Sequence, residues 1–369
     1  MVAAASVVVA VGTATGVVSA LDDGRDSDRA RPEVTSSPLL DQLPVVPSPS
    51  ATVTKSASIE PSSSKRASSS PTKTEKKQSS GVSTALYRHP DSQVLDWVDS
   101  HHNDPRASVI ESRIADQPAA VWFADYTPAT VASRVRAVTS GAAAKGRVPV
   151  VVAYAIPGRD CGGASEGGAP DLSAYDSWID KFAAGLGSGE VVVVLEPDSI
   201  AQADCLSDGE RADRFASLAR AGRVMKAANP KTRVYYDAGH SGWNSAGKQA
   251  ALLKRAGAAS AASSDGIFSN VSNFHTTTAE IAYDRQVLAA LGGPASLGAV
   301  IDTSRNGNGA PADGEWCDPS GRKIGRAPTL NTGEARIDAY LWVKLPGESD
   351  GCKGSPGTFT PSYAYELAR

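Results

Sequence analysis

Residues 191 to 200 read Val-Val-Val-Val-Leu-Glu-Pro-Asp-Ser-Ile: five aliphatic residues run straight into two carboxylates separated by a proline. A continuous apolar run of this length reads as a strand buried on both faces, as in a parallel sheet. Pro197 cannot donate to a ladder and ends the strand. Asp198 therefore falls just past the carboxyl end, where sheet and barrel enzymes carry their reactive groups.

On either side of this stretch, apolar runs alternate with helical patterns from Tyr87 onward. Strands are expected at 119–124, 148–156, 191–195, 233–237, 266–270, 297–302 and 338–345, and amphipathic helices near 128–145, 173–187, 209–228, 245–256 and 277–291. Strict alternation implies parallel pairing with right-handed crossovers. Seven such units predict an α/β fold, a distorted seven-stranded parallel (β/α) barrel, TIM-like, with an open substrate cleft. An open doubly wound sheet is the alternative.

Polar groups gather after the strands: Trp122 and Asp125; Tyr154, Arg159 and Asp160; Glu196 and Asp198; Asp237 and His240; Asn270 and Asn273; Asp302 and Arg305; Lys344, Glu348 and Asp350. One Asp past a strand is as well explained as a helix cap. Seven strand ends delivering such groups to one face point to an active site.

The 369 residues carry a formal charge of −3, and the basic excess of 55–77 leaves about −7 for the rest, which disfavours nucleic acid as a partner. Residues 1–21 are almost uncharged and end in Val18-Ser19-Ala20, so they read as a signal peptide or membrane anchor. Residues 22–82, rich in Ser, Pro, Thr and Lys, read as a linker that cannot bury enough apolar surface to fold, leaving 83–369 as the catalytic domain. Both readings of the leader place the protein outside the cell or on the outer face of its membrane. The four cysteines, at 161, 205, 317 and 352, contain no Cys-x-x-Cys pair, and with an export signal they favour two disulfides over zinc. Of three possible pairings, Cys161 with Cys205 and Cys317 with Cys352 is preferred, because each bond would staple loops on one side of the fold.

The strand ends carry Tyr154-Ala155-Ile156-Pro157-Gly158-Arg159-Asp160-Cys161-Gly162, Leu195-Glu196-Pro197-Asp198-Ser199-Ile200, Tyr236-Asp237-Ala238-Gly239-His240-Ser241-Gly242-Trp243 and Lys344-Leu345-Pro346-Gly347-Glu348-Ser349-Asp350-Gly351-Cys352. Together with Asp302-Thr303-Ser304-Arg305-Asn306-Gly307-Asn308-Gly309 and Glu315-Trp316-Cys317-Asp318-Pro319, these resemble glycoside hydrolase family 6, a cellulase family of inverting endoglucanases and cellobiohydrolases. The resemblance runs from about Trp97 to the carboxyl terminus and implies a distorted seven-stranded barrel.

Glycoside hydrolysis needs one carboxylic acid that is still protonated and a second group to manage the attacking water. Asp198, after an apolar strand and near other carboxylates, has surroundings that raise a pKa. By resemblance Asp198 is the general acid, Asp160 stabilises charge at the sugar, and Asp350 is the catalytic base; Arg159, next to Asp160 in the chain, is expected to hold it ionised. The resemblance further implies substrate binding by Tyr154, Asp237, His240, Asn273, Lys344 and Glu348, and sugar stacking on Trp122, Trp243 and Trp316. It implies β-1,4-glucan as partner, with no cofactor and no metal, and a monomer is expected.

Ser165 and Glu166 depart from the small residues the family pattern expects after Cys161, which questions whether Ser165 sits in register to position the water. Gly163-Ala164-Ser165-Glu166-Gly167 also fits the nucleophile elbow of serine hydrolases. That elbow needs a sharp strand-to-helix turn, whereas here the strand ends by Pro157 and the helix begins near Asp171. About ten residues separate Cys161 from that helix, too few for a tunnel roof, so internal cleavage is expected over release of cellobiose. A silent β-glucan binder is the remaining alternative; it would need the aromatic platforms but no protonated acid.

Overall fold

The computed structural model describes residues 85–369 apart from Ala164. The expected leader at 1–21 and the linker at 22–82 lie outside the described residues. Seven parallel strands follow one another in spatial order: β1 (Val121–Phe123), β2 (Val150–Ala153), β3 (Val191–Leu195), β4 (Thr232–Asp237), β5 (Gly266–Ser269), β6 (Gly298–Asp302) and β7 (Ile337–Leu341). The helices are α1 (Gln93–Ser100), α2 (Ala107–Ile110, running on as a π turn to Ala115), α3 (Val131–Ala144), α4 (Leu172–Ala184), α5 (Asp208–Ala228), α6 (Ala246–Arg255), α7 (Thr277–Leu291) and α8 (Pro361–Ala368).

The register explains why β3 shows no polar alternation. Val193 lies opposite Val151 and Val234, Val192 opposite Val150 and Arg233. Val151, Val193, Val234, Ile267 and Ile301 face the helices, while Val152, Val192, Val194, Tyr235, Phe268 and Val300 fill the interior. Each strand is thus apolar on both faces, as a barrel wall requires.

β1 and β7 share no ladder. The seam is crossed by the Ala120 N–H donating to Trp342 O (2.9 Å) and the Trp122 indole N–H donating to Val343 O (2.7 Å). A third core covers it, built from Val94 and Val98 of α1, Ile110 and Ile114, Trp342, Leu345, and Ala364 and Ala368 of α8. The five long helices and the seven strands lie where the sequence predicts. The sequence reading misses α1, α2 and α8, because elements of four to eight residues carry too few turns to show a period.

α5 approaches β4 at Gly222, where a Cβ would overlap the Tyr236 hydroxyl and the Ser263 carbonyl. Tyr236 is itself fixed, its hydroxyl donating to Leu218 O at 3.0 Å. In a free helix Gly→Ala gains about 1 kcal/mol of propensity. Here overpacking, which costs about 1–3 kcal/mol, outweighs that gain. Gly222→Ala is expected to lower the denaturant midpoint at unchanged slope, and a raised midpoint would contradict this packing.

Candidate active site

The turn after β3 is held in an unfavourable backbone conformation by buried carboxylates. Glu196 and Asp198 both take positive φ, 51° and 67°, which costs of order 1–3 kcal/mol each for non-glycine residues. Glu196 is fully buried and accepts from Ala155 N–H (2.9 Å) and Ile156 N–H (3.0 Å), tying the β3 turn to the loop after β2. Asp237 at the end of β4 accepts from Ile200 (3.0 Å), Ala201 (2.7 Å) and Gly239 (2.9 Å). Hydrogen bonds to a charged group contribute about 1.5–3 kcal/mol each, enough to offset the strain.

This corrects one expectation from the sequence. Asp237 is 1% exposed, its oxygens are spent on backbone amides, and it does not line the cleft. It braces the turn that carries Asp198.

Asp198 projects into a groove of about 1530 Å³ whose walls also carry Asp160 and Asp350. Burial, then the carboxylates of Asp237 and Asp160, push Asp198 up to about 8. Burial likewise raises Glu196 to about 7, against the pull of its amide hydrogen bonds.

Asp160 sits on the β2 loop at φ 58°, and its Oδ2 accepts from Ser165 N–H at 2.7 Å. Gly163 permits that approach, since a Cβ there would lie 2.5 Å from the same oxygen. Arg159 does not hold Asp160, contrary to the sequence expectation. Its guanidinium donates to Ala124 O (2.6 Å), Ser165 O (2.8 Å) and Tyr154 O, and lies 4.3 Å over the Tyr154 ring. Three carbonyls converge on it, and a planar five-donor group satisfies them all. With both its N–H and its carbonyl tied, Ser165 stays on the cleft wall beside Glu166. A disulfide between Cys161 and Cys205, Cα atoms 6.1 Å apart, joins the loops after β2 and β3.

On the opposite wall, Asp350 Oδ2 accepts from Arg305 Nη1 (2.6 Å) and Asp318 N–H (3.2 Å), while Oδ1 faces Lys344 Nζ at 3.4 Å. Asp318, which the sequence reading leaves without a role, organises this loop. It accepts from the N–H groups of Asp350 (2.7 Å), Cys352 (3.0 Å) and Lys353 (2.9 Å) and from the Ser349 hydroxyl. Burial would raise Asp318, but these hydrogen bonds hold it below the ordinary carboxyl range. The second disulfide, Cys317 with Cys352, closes the same loop at 5.8 Å between Cα atoms. Burial pushes Glu348 up to about 7, with Lys344 and Arg305 opposing.

Tyr154, Trp122, His240, Trp243, Asn273, Trp316, Lys344 and Glu348 all line the groove, as does His275, which sequence reasoning missed. Trp122 meets Tyr154 edge-on at 5.3 Å. Trp243 and Trp316 keep 38% and 57% of their surface exposed, unusual for the largest apolar side chain unless a ligand covers it. Among the described residues no group of three or more His, Cys, Asp or Glu side chains is placed to hold a metal ion.

The family model for glycosyl hydrolases family 6 matches residues 81–365. Endoglucanase 1 of Streptomyces sp. (strain KSM-9) is 53% identical over 287 residues, covering 78% of either chain. Endoglucanase A of Thermobispora bispora is 50% identical over 77% of this chain and 61% of its own length. Among solved structures, the endoglucanase Cel6 of Mycobacterium tuberculosis, in complex with methyl-cellobiosyl-4-deoxy-4-thio-β-D-cellobioside, is 38% identical with a TM-score of 0.71, covering 77% of this chain and 96% of that one. Half-barrel, paired carboxylate walls and sequence agree, and the chain belongs to glycosyl hydrolases family 6.

Proposed function

We propose that this protein is a secreted, monomeric, inverting endo-β-1,4-glucanase in which Asp198 is the general acid. The observation that carries the reading is the Asp198 carboxyl: it faces the groove, and burial with two neighbouring carboxylates keeps it protonated near neutrality. It donates its proton to the glycosidic oxygen as the bond to C1 breaks. Asp160, on the neighbouring loop after β2, stabilises the positive charge that develops on the ring. Tyr154, buried and wedged between Trp122 and Arg159, crowds the sugar at that point and favours a distorted ring. Water attacks from the opposite face. Asp350 can take its proton only at Oδ1, because Oδ2 is filled by Arg305 and Asp318.

The exposed faces of Trp243 and Trp316 support an open cleft, since a roof over the groove would cover them. Internal cleavage also agrees with the endoglucanase names of the 53% and 50% identical relatives. The two disulfides suit an oxidising compartment outside the cell.

Only protonated Asp198 can donate, so kcat is expected to fall as pH rises through about 8. The same raised pKa makes Asp198 a liability to the fold. Stability declines as pH climbs from the ordinary Asp range toward about 8, because the unfolded chain releases that proton first. Asp198→Asn should therefore lose about 10²–10⁴-fold in kcat while melting higher than wild type at pH 7. Full turnover in this variant would remove Asp198 from the mechanism. Product anomers give the stereochemical check: the first product from a β-linked substrate should be the α-anomer.

Cleavage mode is tested by viscometry. A soluble cellulose derivative should thin well before reducing ends accumulate. Cellobiose as sole early product at constant viscosity would mean exo action.

A further inference from the structure

Two imidazoles from neighbouring loops stack in the groove, and only His240 is expected from the sequence to bind substrate. The His240 and His275 ring centroids lie 4.3 Å apart with planes 18° from parallel. The backbone of His275 is gripped from both sides: its N–H donates to Asn270 Oδ1 (3.0 Å), and its carbonyl accepts from Asn270 Nδ2 (3.2 Å) and Asn306 Nδ2 (3.0 Å). Gly242 makes room for the ring, since a Cβ there would overlap His275 Cε1 and lie 2.9 Å from Nε2. The Gly242 N–H also donates to His240 Nδ1 at 3.2 Å. A neutral imidazole that accepts at Nδ1 carries its hydrogen on Nε2, so this contact selects the tautomer. Among the described residues, neither ring nitrogen of His275 has a hydrogen-bond partner.

We propose that His275 is a positioning residue for substrate binding: its ring, stacked on His240 and mounted on Asn270 and Asn306, holds His240 with Nε2–H presented to a glucosyl hydroxyl in the groove. The identity of that ligand rests on the glucanase reading; the ring geometry does not. The arrangement works with uncharged rings, because two imidazolium groups at this distance repel. Burial, then His275, pushes His240 down to about 4, and burial lowers His275.

Charged groups on the surrounding elements are engaged elsewhere. Asp237 of β4 holds three amides, Glu280 of α7 accepts from Ser241 N–H, Asp302 of β6 accepts from Ser304 and Lys344 N–H, and Arg305 pairs with Asp350. Asp198, on the β3 turn, is protonated near neutrality. His240 therefore stays a neutral donor across the working range.

The test combines imidazole NMR with kinetics. The chain has five histidines, so His240 can be assigned by substitution. In wild type its ring should remain neutral until pH falls to about 4. In His275→Ala and His275→Phe the titration should move to higher pH, because the neighbouring cation is gone. His275→Ala should raise KM for a soluble cello-oligosaccharide about fivefold, with kcat held within about twofold. His275→Phe keeps a flat ring against His240 and should restore most of the KM.

An unmoved His240 titration, an unchanged KM in His275→Ala, or a Phe variant as impaired as Ala would each overturn the proposal. The Phe variant decides the matter should Ala not fold. A chain that hydrolyses no β-glucan would defeat the glucanase reading alone, since the titration shift needs no substrate.

Discussion

Backbone amides leaving the end of a parallel strand have no ladder partner, and this molecule satisfies them with buried carboxylates. Glu196 takes the amides of Ala155 and Ile156, Asp237 those of Ile200 and Ala201, Asp302 those of Ser304 and Lys344, and Asp318 those of Asp350, Cys352 and Lys353. Each acceptor except Asp318 belongs to a strand or its immediate exit, and Glu196 and Asp237 each reach back to the loop of the preceding strand. An orphaned buried amide costs about 1–3 kcal/mol, so removing any of these pins would release a loop rather than one contact. The two disulfides reinforce the same joints, one between the loops after β2 and β3 and one beside Asp318.

Holding the loops with negative charge has a chemical consequence. Asp198 is surrounded by carboxylates placed there for structural reasons, and Asp237, which braces its turn, is also the larger of the two charges that raise its pKa. Scaffold and proposed proton donor are thus coupled. A neutral brace would hold the turn with weaker hydrogen bonds and leave Asp198 more acidic. The strain stored at Glu196 and Asp198, both at positive φ, aims Asp198 into the groove where a relaxed extended chain would carry it past.

Much of this was legible in the sequence because burial leaves a compositional trace. Five consecutive aliphatic residues at 191–195 mark a strand apolar on both faces, and the structure gives β3 those same bounds. The expected disulfide pairing is the one formed. Side-chain direction leaves no such trace. Asp237 reads the same whether it turns to sugar or to amides, and Arg159, adjacent to Asp160 in sequence, spends its long guanidinium on three backbone carbonyls. His275 was invisible because its significance lies in a stack against a residue 35 positions earlier, with Gly242 clearing the space.

The groove also depends on what the barrel lacks. An eighth strand would ladder β1 to β7 and close the mouth. Instead one backbone hydrogen bond and the Trp122 indole cross the seam, and short helices cover it. Gln93, at the start of α1, then behaves as a fragment of strand. Its side-chain amide donates to Gly357 O (2.8 Å) and accepts from Phe359 N–H (2.9 Å), fastening the segment that follows Asp350. Its Nε2 also lies 3.5 Å from Glu348 Oε1. The groove wall therefore runs from this seam, past Asp350 and Asp198, to His240 and Trp243 on the β4 loop. A continuous trough of that kind needs no free chain end to enter, which is what cutting inside a polymer demands. The missing unit, covered by helices too short to announce themselves in sequence, leaves β1 and β7 without a ladder between them.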